Sequence, residues 1–172
     1  RRKVNPPEVL MEGIVFGESP RWHDGRLWFS DWGAGQVIAL DASTGRDQWR
    51  ASLGTALATG AGSDGRLAAV ITSNNEVVAI DAGKEVWRTK LPAQSFTAPL
   101  VAGGRVFALA ADRSVTAFDG TTVRRLWVQQ RPGEPLVLKQ SGTLLAVGDT
   151  LVAGLSGRLV GINPNNGSIR WE

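Results

Sequence analysis

The chain has no cysteine among its 172 residues and one histidine, His23. Disulfide staples and thiolate metal sites are excluded, while the redox compartment is left open. No apolar run approaches the roughly 18 residues that span a bilayer as a helix, and no stretch shows the 3.6-residue periodicity of an amphipathic helix. The spacings of a Ser/His/acid or Cys/His site, a phosphate loop and a zinc finger are missing too, which speaks against catalysis. The net charge of +3 comes mostly from scattered arginines, with one basic cluster at Arg1-Arg2-Lys3. Nucleic-acid binding calls for a basic stripe with stacking aromatics, and none is present.

What the chain does have is a repeat. Four apolar segments end in Asp or Asn and are followed by a tryptophan: Val37 to Asp41 with Trp49, Val77 to Asp81 with Trp87, Val115 to Asp119 with Trp127, and Leu159 to Asn163 with Trp171. The tryptophans lie 38, 40 and 44 positions apart, a period that suits a four-stranded propeller blade. Upstream of each copy a glycine turn leads into another apolar strand, at Gly25-Arg26, Gly65-Arg66, Gly104-Arg105 and Gly148-Asp149. Each unit therefore reads as strand, glycine turn, strand, tight polar turn, strand ending in Asp, polar loop, and strand carrying Trp. Ser73-Asn74-Asn75 and Ala111-Asp112-Arg113 supply the tight turns, with residues that tolerate positive φ or bond their own backbone.

The loop after the third strand has its own chemistry. In Asp41-Ala42-Ser43-Thr44-Gly45 the carboxylate can accept a hydrogen bond from the backbone two residues on, and Gly45 supplies the positive φ that turns the chain back. Asn163-Pro164-Asn165-Asn166-Gly167 offers the same solution. Both loops end four residues before a tryptophan, so the indole enters the last strand at one fixed register. A ring recurring once per blade is best placed in the wedge between adjacent sheets, where it buries about 150–250 Å². Trp49, Trp87, Trp127 and Trp171, with Asp41, Asp81 and Asp119, are therefore read as structural docking residues.

The expected fold is all-β: a propeller fragment of about four blades of four-stranded antiparallel sheets, the last incomplete. Residues 1–8 form an N-terminal extension, and 9–172 form one partial propeller domain with blades at about 9–53, 54–91, 92–131 and 132–172. The chain starts without Met, signal peptide or lipid-attachment Cys and stops within the last repeat, so the expectation is a piece of a larger propeller. Unpaired edges of such a piece are expected to self-associate or to need a partner.

From about residue 37 to 172 the chain resembles the BamB family, the tryptophan-docking, PQQ-like propellers of outer-membrane protein assembly. The resemblance rests on Asp41 to Trp49, Asp81 to Arg88, Thr97 to Val101 and Arg131 to Leu138, the last being extra to the blade pattern. It implies a non-enzymatic scaffold of eight blades, without a cofactor, held at the periplasmic face of the outer membrane and binding BamA. The family's contact segment, Leu-x-Leu-Arg, matches Leu136-Val137-Leu138-Lys139, so Leu136, Leu138 and Lys139 are the candidate partner-binding residues. Lysine keeps the charge but loses bidentate pairing. Leu136 and Leu138 also alternate as a buried strand would.

Residues 9–41 are similar instead to the opening blade of the SMP-30/gluconolactonase family, metal-dependent lactonases, and Glu18 matches its first metal-binding glutamate. One carboxylate does not make a divalent-metal site, and the family's later ligands have no counterpart downstream. Glu18 then reads either as a ligand or as a solvated, turn-bonding carboxylate, with the second preferred, and no metal is expected. His23 falls in a polar turn. A lactonase and a quinone-dependent dehydrogenase stand as the alternatives to the scaffold.

Overall fold

The structure is a computed structural model that describes residues 8–136, 143–155 and 157–172. Its strands fall into four antiparallel sheets, each in sequential order. Blade 1 is built from β1 (Gly17–His23), β2 (Arg26–Asp31), β3 (Gln36–Asp41) and β4 (Asp47–Ser52). Blade 2 holds β5 (Gly62–Ser63), β6 (Leu67–Ile71), β7 (Glu76–Asp81) and β8 (Lys84–Lys90). Blade 3 holds β9 (Leu100–Ala102), β10 (Arg105–Leu109), β11 (Val115–Asp119) and β12 (Arg125–Gln129), and blade 4 holds β13 (Thr143–Val147), β14 (Thr150–Leu155), β15 (Arg158–Ile162) and β16 (Ile169–Trp171). This is the all-β, unclosed propeller that the repeat predicts, with the difference that the fourth blade, expected to be incomplete, has all four strands because residues 169–171 still pair with β15. Among the described residues no helix is long and apolar enough to cross a membrane.

The two middle strands of blades 2 and 3 are apolar on both faces because these sheets are covered on both sides. Ala68, Val70, Val78 and Ile80 point to blade 1, where they meet Trp28, Val37 and Ala39. Their neighbours Leu67, Ala69, Ile71, Val77 and Ala79 point to blade 3, against Val106, Ala108 and Phe118. The seam between blades 3 and 4 is filled by Phe107, Leu109 and Ala117 from one side and by Leu144, Leu151 and Ile162 from the other. Continuous apolar strands are the pattern of sheets buried on both faces.

The turn residues behave as their chemistry demands. Asn75 and Arg113 close the tight turns at φ 60° and 68°, and Gly45 and Gly167 turn the chain at 69° and 76°. The Asp41 carboxylate accepts from the Ser43 and Thr44 N–H groups, at 3.0 and 2.9 Å, and from both hydroxyls. Asp119 accepts from the Thr121 and Thr122 N–H groups and the Thr121 hydroxyl. The Ser43 hydroxyl foremost holds the Asp41 carboxyl at about 2, and the Thr121 N–H foremost holds Asp119 at about 2. Asp81 differs: its turn has only Ala82 and Gly83, both at positive φ, so the carboxylate instead accepts from the Arg66 guanidinium at 3.0 Å.

The sign of the pH effect follows. Carboxyls depressed from about 3.9 in the unfolded chain stabilise the fold above pH ~4, and the contribution fades as pH falls through about 2. Blade 4 has the amide Asn163 in this role, accepting the Asn165 N–H at 2.9 Å, so its turn is indifferent to acid. The double variant Asp41→Asn with Asp119→Asn is expected to flatten the dependence of Tm on pH between about 4 and 2. Thermal melts followed by circular dichroism check this; an unchanged acid limb counts against it.

Candidate functional site

The four tryptophans occupy one repeated row across the sheets. The rows, from inner to outer strand, are Arg21-Trp28-Ala39-Trp49, Gly62-Ala69-Ala79-Trp87, Leu100-Phe107-Ala117-Trp127 and Leu145-Val152-Gly161-Trp171. A small residue always precedes the indole. The pairing register slips at the same place in every blade, between that small residue and the next. Such a bulge re-aims a side chain, here the ring, over the small neighbour and toward the following blade.

Each of the first three indoles rests on the polar turn of the next blade. Trp87 is 8% exposed and donates its indole N–H to the Gly120 carbonyl at 2.9 Å. Trp127 donates to the Pro164 carbonyl at 3.0 Å, and its ring lies where a Cβ on Gly167 would be, 2.8 Å away. Trp49 covers Gly83 in the same way, at 2.9 Å, and stacks edge-on against Trp28 at 5.0 Å. Trp171 stands apart. It folds over Gly161 and is 45% exposed.

The segment after β12 leaves the blade pattern and is pinned at both ends. Arg131 pairs with Glu172 at 2.6 Å, and the Gln130 amide donates to the Asp112 carbonyl at 2.7 Å. Gly133 approaches the Arg113 guanidinium, with 3.1 Å from a would-be Cβ to Cζ. At the far end the Leu136 N–H donates to the Ala111 carbonyl at 2.6 Å, and the Leu136 side chain is buried among Leu109, Leu144 and Leu155. Pro132 to Pro135 are exposed, and Arg131 is half-buried. Leu138 and Lys139 lie outside the described residues.

The first blade adds features that the repeat does not reveal. Asp31, at the end of β2, is 1% exposed, and its carboxylate accepts the Val15 and Phe16 N–H groups at 2.9 and 3.0 Å and the Ala34 N–H at 3.2 Å. Burial opposes its ionisation, yet backbone N–H groups of Val15, Phe16, Ala34 and Gly33 together hold the carboxyl below its ordinary value. The residues before β1 are thereby strapped across the outer face of blade 1, where Met11 packs on Phe29, Ile38 and Leu40. A strand-ending aspartate looks alike in sequence whether it serves its own turn or a distant segment; only the apolar pairs Leu10-Met11 and Val15-Phe16 hint at the strap.

Glu18 sits on β1 opposite Ser30, half-buried, and accepts the Ser19 N–H at 3.3 Å. No group of three or more His, Asp or Glu that could hold a metal occurs among the described residues. His23 is exposed and its Nε2 contacts the Asp64 carbonyl at 2.7 Å, which ties β1 to blade 2. A cavity of about 450 Å³ opens at the axis, lined by Arg21, Trp22, Trp28, Phe96, Leu100 and Leu145 among others.

Comparison with known proteins places this geometry. The family model of the outer membrane protein assembly factor BamB matches residues 33–172. BamB of Bordetella pertussis is 35% identical over 140 residues, which is 80% of this chain and 36% of that protein. BamB of Burkholderia pseudomallei is 35% identical over 141 residues, 80% of this chain and 37% of that one. The chain thus spans little more than a third of the length of these relatives. The crystal structure of BamB from Moraxella catarrhalis superposes with a TM-score of 0.76 at 19% identity, covering 89% of this chain and 46% of that one. A quinohemoprotein alcohol dehydrogenase from Pseudomonas putida HK5 superposes with a TM-score of 0.67 at 20% identity, over 88% of this chain and 33% of that one, a likeness of fold alone. With a family model over most of its length and relatives at 35% identity, the chain belongs to the family of the outer membrane protein assembly factor BamB.

Proposed function

We propose that the chain is a non-catalytic scaffold of outer-membrane protein assembly, held in the periplasm, whose segment 131–139 contacts a BamA-like component. The observation that carries this is the pinned departure from the blade pattern. Arg131 is tied to Glu172, and Leu136 is rooted in the core between blades 3 and 4. The buried Leu136 is the anchor of the segment, with Leu138 and Lys139 kept as its contacting residues. An apolar residue beside a cation suits a modest protein interface, with the leucine desolvated and the charge at the rim.

The anchor role decides the test. Leu136→Asp would place a charge in the core and report on folding, so it is the wrong substitution. Leu138→Asp with Lys139→Glu is expected to weaken binding to purified BamA periplasmic domains about tenfold or more, and a thermal melt of the variant separates lost contact from lost folding. Interferometry with both proteins checks this, and an unchanged Kd overturns the assignment of the segment.

A further inference from the structure

The turn on which Trp127 rests contains the one Asn-Gly pair of the chain, Asn166-Gly167. At the same place the turns of blades 1 and 3 carry Thr44-Gly45 and Thr122-Val123, which hold no side-chain amide. A carboxamide followed by glycine is a self-reactive pair, because glycine has no Cβ to screen its backbone nitrogen from the neighbouring side chain. Asn166 is exposed, and its Oδ1 accepts the Ser168 N–H at 3.0 Å and the Ser168 hydroxyl at 2.8 Å. Both donors polarise the carboxamide, and both are in place for an oxyanion that forms at Oδ1 when Cγ is attacked. The nucleophile is restrained instead. The Gly167 N–H donates to the Asn163 carbonyl at 2.9 Å, and Gly167 is buried beneath the Trp127 ring, whose Cε3 lies 2.8 Å from a would-be Cβ. The indole N–H holds the Pro164 carbonyl at 3.0 Å, so ring and turn are fixed at two points.

We propose that Asn166 is a modification site: a spontaneously deamidating residue whose carboxamide is activated by Ser168 and whose reaction is held back by the docked Trp127. When the ring lifts, the Gly167 nitrogen loses its proton to water and bonds to Asn166 Cγ. The Cγ–Nδ2 bond then breaks, and Nδ2 takes up a proton to leave as ammonia. Water opens the cyclic imide at Cγ to give aspartate, or at the backbone carbonyl to give isoaspartate, with no change of oxidation state. The two products differ in consequence. Aspartate keeps an acceptor for both Ser168 donors, as Asp41 does for the N–H and hydroxyl of Ser43. Isoaspartate inserts a methylene into the chain before Gly167, where contact with the Trp127 ring leaves no slack. Trp127 packs on the core that also holds Leu136, so this product loosens the seam between blades 3 and 4.

Incubation of the 172-residue chain in warm, mildly alkaline buffer, followed by peptide mapping in a mass spectrometer, tests the site. Acid is expected to accumulate at Asn166 ahead of every other asparagine, none of which precedes glycine. Conversion is expected to be about tenfold or more slower than in the urea-unfolded chain, since the reaction waits for a local opening. Trp127→Phe keeps a ring and loses the bond to Pro164, so deamidation of the folded chain is expected to rise severalfold. Ser168→Ala keeps the backbone N–H and removes the hydroxyl, and a fall of about threefold to tenfold is expected. In urea both variants are expected to convert at the parent's rate. Ser168 is exposed, so its variant carries the test should Trp127→Phe lose the native circular dichroism. A folded chain that converts as fast as the unfolded one, or folded-state rates unmoved by Trp127→Phe or by Ser168→Ala, overturns the proposal.

Discussion

Replacing Trp87 by alanine is expected to destabilise the chain by about 3–5 kcal/mol. The indole is 8% exposed in the seam between blades 2 and 3, its ring is 5.8 Å from that of Phe118, and its N–H is satisfied by the Gly120 carbonyl. Alanine removes roughly 150–250 Å² of buried aromatic surface, opens a cavity between two sheets whose backbones cannot collapse into it, and leaves the Gly120 carbonyl without this donor. Trp87→Phe keeps most of the ring and loses the hydrogen bond, so about 1–2 kcal/mol is expected. Trp171→Ala, at the exposed end of the same repeat, is expected to cost under about 1 kcal/mol. Urea denaturation of the three variants checks the order. Equal losses for Trp87→Ala and Trp171→Ala would show that the seams do not hold the blades together.

Gly62→Ala is expected to destabilise the chain by about 1–3 kcal/mol from overpacking, a large effect for the addition of one methyl group. Gly62 lies on the short inner strand β5, and a Cβ there overlaps the Pro99 carbonyl and comes within 3.5 Å of the Leu100 Cα. These are backbone atoms leading into β9, so no side-chain rotation can make room, and the blades must part at the axis where they converge. The loss appears as a Tm lower by roughly 2–4 °C per kcal/mol for a chain of this size. Gly104→Ala is the control: nothing lies within 4 Å of its would-be Cβ, so only its left-handed φ resists, at about 1–2 kcal/mol. A Gly62→Ala protein with the parent's Tm would mean that the inner strands are not in register with each other.

The architecture was legible in the sequence wherever one residue type had one possible task. Trp six or eight residues after Asp or Asn gave both the strand that carries it and the loop before it, and Gly45 and Gly167 gave the sense of the turn. Asp81 shows the limit. It occupies the same repeat position as Asp41 and Asp119, yet its two-residue turn leaves no N–H to accept, and the carboxylate pairs with Arg66 instead. Leu136 was ambiguous for a similar reason, since alternating leucines identify two faces without saying which is inward; the structure turns Leu136 into the core. The strap was hidden because residues 8–16 carry no repeat, and their contact with Gly45 joins positions that no local pattern relates. Asp31 could be seen as a strand end but not as a clamp on Val15 and Phe16.

The seams have a consequence for how the chain responds to damage. Among the described residues the main contacts between sheets join blades that follow one another in sequence, so stability is approximately a sum of blade terms and nearest-neighbour terms. A lesion in one blade is therefore felt by two others at most. Among the described residues, blades 2 and 3 are each held on both sides, blade 1 packs on blade 2 and the strap, and blade 4 packs on blade 3. A change in the opening segment is accordingly felt first in blade 1 and its seam with blade 2, while the seams between blades 2, 3 and 4 keep their own neighbours.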